Sequence, residues 1–294
     1  MMHTWMPGYY QKMDYTGDVL HMVAEDEHGT GIPLNKVNNH VDNLHAYIIP
    51  ENTFLFVEGH ITTPVFVQIE NNPAWNNTVT GSEPVQGPSN VYIAPHFDVL
   101  YDSPILLGDL EELPSFSVRG IEHRFVGYNM GAFDETGFIN TLKTVVESAV
   151  NIIGDIPFRQ YTFIAIGPGR GGIEHLNNTT ISFRGGQLDS EQYINTVENN
   201  PGRVYPSLVQ ASYQTWEDGP FGNQGENRGK TISYYEKEPV VWLLPDFAIR
   251  HATQNEMSLD NVMQFLYWEY YKKKQRDSRM PCFNRPVKQL PVNH

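Results

Sequence analysis

The sequence predicts an α+β fold that begins with strands and ends with helices. Up to about residue 108, short apolar runs such as Ala46–Ile49 and Pro64–Ile69 alternate with Gly, Pro and Asn, as strands joined by turns do. A strand–helix–strand order follows, and from Arg184 the pattern is mostly helical. We therefore predict four regions: a β-rich, sandwich-like domain over 1–108, the first half of an α/β domain over 109–183, a helical domain over 184–278 and a disordered tail over 279–294.

The first region contains a further predicted strand and two predicted irregular segments. Thr53–Val57 is apolar and reads as a strand, whereas Asn35–Asn43 is polar and reads as a loop. We interpret His40 and His45 as solvated residues in or beside that loop. Asp98–Leu110 reads as a connector to the second region.

The second region carries the strongest local signals. Phe116–Tyr128 alternates as a hairpin does, with Arg119-Gly120 at its turn. Asp134 can cap a helix that runs to Ile153, with an apolar stripe on one face and Gly154 at its end. Tyr161–Ile166 then reads as a strand.

Three helices are predicted in the third region. They cover Asp189–Val197, Val240–Arg250 and Ser258–Tyr271. Pro239 suits the first turn of the second helix, and Pro245 should kink it. Ser258 suits the N-cap of the third helix.

Composition and charge limit the kinds of partner that the protein is expected to bind. The formal net charge of −14 disfavours binding to nucleic acid, and no stretch is long and apolar enough to span a membrane. The first residues lack the basic and apolar parts of a signal peptide, and the single Cys282 excludes an intrachain disulfide. These features predict neither a compartment nor an oligomeric state.

The most informative motif is Gly171-Gly172-Ile173-Glu174-His175, which lies between the strand Tyr161–Ile166 and the β-branched run Thr179–Phe183. Glycines on a strand allow another backbone to come close. A strand edge can pair with an extended peptide, and a carboxylate there can hold a positive amine.

Glu122-His123 repeats the local sequence Gly-Ile-Glu-His, and four such side chains could suggest a makeshift metal site. Adjacent residues on a strand point to opposite faces, so each Glu-His pair would split its ligands. We therefore predict no metal site here and interpret the repeat as chance similarity.

Gly171–His175 resembles the Gly-Gly-X-Glu-His motif of the M61 family of zinc aminopeptidases. Further segments resemble the family in the same order, at Trp5–Tyr10, Phe54–His60, Asn200–Arg203, Ser233–Lys237 and Ser258–Met263. The resemblance implies a β-domain, a thermolysin-like α/β catalytic domain and a helical domain. It implies that peptides or protein N-termini bind along Gly171, Gly172, Glu174 and His175, with Glu174 on the α-amine. It also implies that Tyr235 stabilises the oxyanion.

The chain differs from the family it resembles in lacking the zinc-binding motif. Members carry a His-Glu-X-X-His helix that binds zinc, and none of the eleven histidines here begins that motif. The resemblance implies internal deletions after Phe183 and between His40 and Asp42, so no cofactor is expected in this chain.

Three hypotheses follow from the deletions. In the first, the chain is a shortened version, or an incomplete gene model, of a metallo-aminopeptidase. In the second, it is a zinc-free pseudopeptidase that binds peptides with a free N-terminus. In the third, the deletions prevent a stable fold. Family members are often bacterial, and are either cytoplasmic or exported.

Overall fold

The computed structural model describes residues 40–56, 58–167, 172–183, 206–218 and 232–274. The predicted α+β class with a β-rich first part is confirmed in these ranges. The strands are β1 His40–Val41, β2 His45–Ile48, β3 Val65–Gln68, β4 Asn77–Thr80, β5 Glu83–Pro84, β6 Val91–Ala94, β7 Ile105–Gly108, β8 Glu111–Glu112, β9 Phe116–Val118, β10 Ile121–Tyr128, β11 Gln160–Ile166, β12 Gly172–Glu174 and β13 Asn178–Ser182. The helices are α1 Phe97–Tyr101, α2 Glu135–Ile153, α3 Leu208–Asp218, α4 Tyr234–Ala252 and α5 Leu259–Leu266, which continues into a π-helical turn, Tyr267–Lys273.

The strands form three sheets. One has the order β1-β2-β7-β4, and a second, smaller one has the order β3-β6-β5. The third is the largest, with the order β12-β13-β11-β10-β8 and with β9 paired to β10. Its strands β10, β11 and β13 are parallel, whereas its edge strand β12 is antiparallel to β13.

The prediction of a connector over Asp98–Leu110 was wrong. This segment contains helix α1 and strand β7, which is bonded on both sides, to β2 and β4. All four residues of β7 are buried, and a strand buried on both faces shows no alternation by which it could be recognised.

The strand predicted over Thr53–Val57 is also not formed, since a short 3₁₀ turn at Pro50–Asn52 leads into irregular chain over Phe54–Phe56.

The predicted hairpin and first helix are confirmed. Arg119 and Gly120 have φ values of 50° and 83° between β9 and β10, as a two-residue hairpin turn of this kind requires. The Asp134 carboxylate accepts the Gly137 N–H at the start of α2, and Gly154 ends the helix with φ of 86°. The helix packs on an aromatic core whose members include Phe125, Phe138, Phe163 and Phe183.

The later helices are described in part. Helix α4 starts at Tyr234 rather than Val240, because Ser233 caps it, and so both Pro239 and Pro245 lie inside it. Ser258 caps α5 as predicted, in a reciprocal capping box with Asn261. The helix predicted over Asp189–Val197 and the tail over 279–294 lie outside the described residues. No described helix combines the length and apolar character that crossing a bilayer requires.

Candidate functional site

Strand β12 is the edge of the largest sheet, and Glu174 is its last residue. Glu174 is opposite Thr179 on β13, and its side chain is exposed. Among the described residues, no strand pairs with the outer side of β12. The structure thus places the predicted amine-binding carboxylate on a strand edge that an extended peptide could join.

His175 fixes the end of this strand. Its Nδ1 lies 2.7 Å from Asp102 Oδ1, and the Leu176 N–H donates to Asp102 Oδ2 over 2.6 Å. A carboxylate can only accept, so the imidazole proton lies on Nδ1. Only 2% of the His175 side chain is exposed. The ring of His175 therefore positions the strand by contacting Asp102, and the role of His175 in substrate binding stays a prediction.

The loop after β12 is bound to the first part of the chain by two asparagines. Asn177 Nδ2 donates to the Gly81 carbonyl over 2.6 Å, and the buried Asn178 Nδ2 donates to the Asp102 carbonyl over 3.1 Å. A Cβ at Gly81 would lie 2.3 Å from Asn178 Nδ2, so this approach requires glycine. Sequence analysis did not find Asp102 or Gly81, because their partners lie 73 or more residues away.

Tyr161 lies beside the same strand, on β11. Its hydroxyl donates to the Asn178 carbonyl over 3.0 Å and contacts Thr179, the cross-strand partner of Glu174. Burial raises the pKa of Tyr161, and the negative charges of Glu174 and Asp102 add to the effect. Glu174 and Asp102 therefore make this end of the sheet electronegative, which favours a cationic group.

A buried carboxyl group is close enough to Asp102 to feel its charge. Glu51 is 4% exposed, and its Oε2 has no hydrogen-bond partner. Burial raises the pKa of Glu51 to about 7, with a smaller contribution from the charge of Asp102. The pKa of Tyr101 rises to about 12 for the same main reason, with Glu51 nearby.

The four residues of the two Glu-His pairs do not converge. His123 is buried, stacks on Phe116 at 5.1 Å and has Nδ1 3.0 Å from the Ile121 carbonyl. Glu122 accepts from Ser115 on the exposed side. Since β11 and β13 separate β10 from β12, the pairs are roughly 14 Å apart. This separation is too large for the two pairs to bind one ion, and the described residues around β12 do not bring three metal-binding side chains together.

Two other predicted site residues remain outside this geometry. Gly171 lies outside the described residues, whereas Gly172 begins β12. Tyr235 lies in the first turn of α4, where its ring stacks on Tyr234 at 4.4 Å and its N–H is accepted by Ser233. Its role at an oxyanion stays a prediction.

A second cluster lies at the β1–β2 turn, where the sequence had predicted solvated loop residues. His40 Nε2 is 3.0 Å from Asp42 Oδ2, and His45 Nδ1 is 3.3 Å from Asp42 Oδ1. Burial lowers the pKa of His45, whose side chain is 12% exposed. N–H groups of His45 and Leu44 hold the pKa of Asp42 well below its usual range.

Comparison with known structures identifies the fold. The chain matches the crystal structure of an aminopeptidase N family protein from Idiomarina loihiensis with a TM-score of 0.80 and 19% identity, over 99% of this chain and 68% of that one. The fold is therefore that of this aminopeptidase N family protein. An M1 zinc metallopeptidase from Deinococcus radiodurans matches 65% of this chain and 48% of its own at 12% identity, with a TM-score of 0.34. A yeast LTA4 hydrolase matches 56% of this chain and 31% of its own at 15% identity, also with a TM-score of 0.34.

Comparison with protein families matches a shorter part of the chain but names a particular family. Residues 32–109 match the Peptidase M61 N-terminal domain. No curated protein sequence matches the chain significantly. The resemblance drawn from the sequence is confirmed to this extent: residues 32–109 resemble the M61 N-terminal domain, and the chain as a whole has an aminopeptidase-like fold.

Proposed function

We propose that this chain binds peptides or protein N-termini that carry a free α-amine, and that it does not hydrolyse them. The observation that carries the proposal is Glu174, an exposed carboxylate at the end of an edge strand that Asp102 holds in place. The backbone of β12 would pair with the peptide, while Glu174 would accept from its ammonium group. The aminopeptidase-like fold supports this class of ligand.

Binding should depend on the amine. A charge-assisted hydrogen bond contributes about 1.5–3 kcal/mol, so N-acetylation of a short peptide should weaken binding about tenfold or more. Calorimetric titration of the full chain with free and acetylated forms of one peptide measures this difference.

Glu174→Gln should remove the preference for the free amine. The matched control is Glu122→Gln, since Glu122 is exposed and lies in the same local sequence, Gly-Ile-Glu-His, but on β10. The control should keep the preference. Equal affinity for both peptides, or an unchanged preference in Glu174→Gln, would refute the proposal.

Hydrolysis is expected to be negligible. Metallo-aminopeptidases cleave with water that a zinc ion activates, and the chain contains no His-Glu-X-X-His to hold one. Glu174 and Tyr235 could orient a peptide but could not generate the nucleophile. Glycyl and alanyl substrates, assayed with and without added Zn²⁺, should both remain intact.

An active metallo-aminopeptidase is the alternative outcome of that assay. Turnover that persists through repurification, requires Zn²⁺ and is abolished by Glu174→Gln would establish it. Glu122→Gln should then remain active.

A further inference from the structure

We propose that His40, Asp42 and His45 form a binding site for one Zn²⁺ ion on the β1–β2 hairpin, separate from the peptide-binding strand. One potential ligand atom from each residue lies within 4.8 Å of the other two. Among the described residues, no other three His, Cys, Asp or Glu side chains come this close together. They belong to the sheet β1-β2-β7-β4, whereas β12 belongs to the largest sheet.

The hairpin holds the carboxylate in place before any ion binds. The Asp42 N–H donates to the His45 carbonyl over 3.0 Å, which closes the turn. Asp42 Oδ1 accepts the N–H groups of Leu44 and His45 over 2.7 and 2.8 Å. Oδ2 points to His40 Nε2 at 3.0 Å. The backbone thus orients Asp42 as outer hydrogen bonds orient a metal ligand.

His45 supplies a ligand that is already fixed. Its ring stacks on Tyr128 with centroids 4.0 Å apart and an angle of 12° between the planes. Its Nδ1 is inaccessible to solvent and lacks a hydrogen bond of acceptable geometry, although Asp42 Oδ1 is 3.3 Å away. A buried nitrogen without a partner is costly, and a metal ion on Nδ1 would remove that cost.

His40 is the movable ligand. Its side chain is 55% exposed, and its ring centroid lies 4.5 Å from that of His45. Ligand atoms bound to one tetrahedral Zn²⁺ at about 2.0–2.2 Å are roughly 3.3–3.5 Å apart. His40 Nε2 is 3.0 Å from Asp42 Oδ2 and His45 Nδ1 is 3.3 Å from Asp42 Oδ1, so each imidazole is already near this spacing from one carboxylate oxygen. One ligand atom from each residue lies within 4.8 Å of the others, and rotation of the exposed His40 ring would shorten the longer separations.

The ligand chemistry selects the ion. Two imidazoles and one carboxylate suit Zn²⁺ and other borderline divalent ions, whereas Mg²⁺ prefers oxygen ligands alone. Water would take the remaining position. Because both strands of the hairpin contribute ligands, the ion would join the exposed edge strand β1 to β2.

The test is a titration of the metal-free full chain with Zn²⁺, followed by calorimetry and by hydrogen exchange. One ion per chain should bind, Mg²⁺ should not compete, and exchange of the Leu44 and His45 amides should slow. His40→Ala and Asp42→Asn should each weaken binding at least tenfold; the asparagine keeps an oxygen for the turn. His60→Ala, at an exposed histidine elsewhere, should bind as the unaltered chain does.

Each remaining outcome would overturn the proposal. These are no binding, unchanged affinity in both variants, or binding that leaves the exchange of the two hairpin amides unaffected. The exchange readout uses the unaltered chain, so it decides even if a variant fails to fold. Peptide affinity in His40→Ala should equal that of the unaltered chain, which separates this site from Glu174.

Discussion

Replacing Asp102 with alanine is expected to lower the free energy of unfolding by about 2–4 kcal/mol. The substitution removes the acceptor of both His175 Nδ1 and the Leu176 N–H. The buried His175 donor left without a partner costs about 1–3 kcal/mol, and loss of the bond of the exposed Leu176 N–H adds about 1 kcal/mol. The His175 ring is 2% exposed and cannot turn to water instead. Equilibrium denaturation with urea measures the loss, and peptide affinity should fall with it because Glu174 adjoins His175.

The matched control is Asp98→Ala on α1, the short helix that ends just before Asp102. The Asp98 side chain is 66% exposed and lies 3.9 Å from His96, so its loss should cost no more than about 0.5 kcal/mol. Equal destabilisation by the two substitutions would show that Asp102 does not anchor the strand.

Replacing Glu51 with glutamine is expected to change how stability depends on pH. The pKa of Glu51 rises from 4.5 to about 7 in the folded protein, so between these values the folded state holds a proton that the unfolded state has released. The contribution of Glu51 is therefore fully present below pH 4.5 and is lost as pH rises through about 7. At 1.36 kcal/mol per unit, the loss is on the order of 3 kcal/mol.

Urea denaturation at pH 5 and pH 8 measures this effect as the difference in free energy of unfolding between the unaltered chain and Glu51→Gln. Glutamine has no proton to lose, so Glu51→Gln should exceed the unaltered chain in stability at pH 8 by up to about 3 kcal/mol, with a small difference at pH 5. Other groups, such as His45 and His123 with lowered pKa values, contribute equally to both proteins and cancel. Glu58→Gln, at an exposed carboxylate, should follow the unaltered chain; parallel curves for all three would contradict the prediction.

Elements whose limits depend on neighbouring residues were predictable from sequence. Asp134 and Gly154 mark the two ends of α2 through bonds within a few residues, and Ser258 caps α5 in the same way. The Arg119-Gly120 turn is set by two backbone conformations. By contrast, β7 is a strand because β2 and β4 bond it from both sides, which the run Ile105–Gly108 does not reveal.

The candidate sites divide in the same way. The strand position of Glu174 followed from its own neighbours, whereas its proposed role came from the M61 resemblance. His175 and Asp102 are 73 residues apart in the sequence, and no local sequence pattern predicts that they pair. The clustering of His40 with His45 depends on a tight hairpin and on Tyr128, which is distant in the chain. Burial of Glu51 likewise arises only from packing.

The bond between Asp102 and the end of β12 means that this strand depends on a residue outside its own sheet. A fragment that began after residue 108 would keep every strand of the largest sheet, including Glu174, but would lose the carboxylate that holds His175 and Leu176. Recombination that exchanged the β-rich first part for an unrelated one would lose it too. The two segments must therefore be inherited together, and a substitution at Asp102 or Gly81 is under the same constraint as one in the Gly-Gly-Ile-Glu-His motif itself.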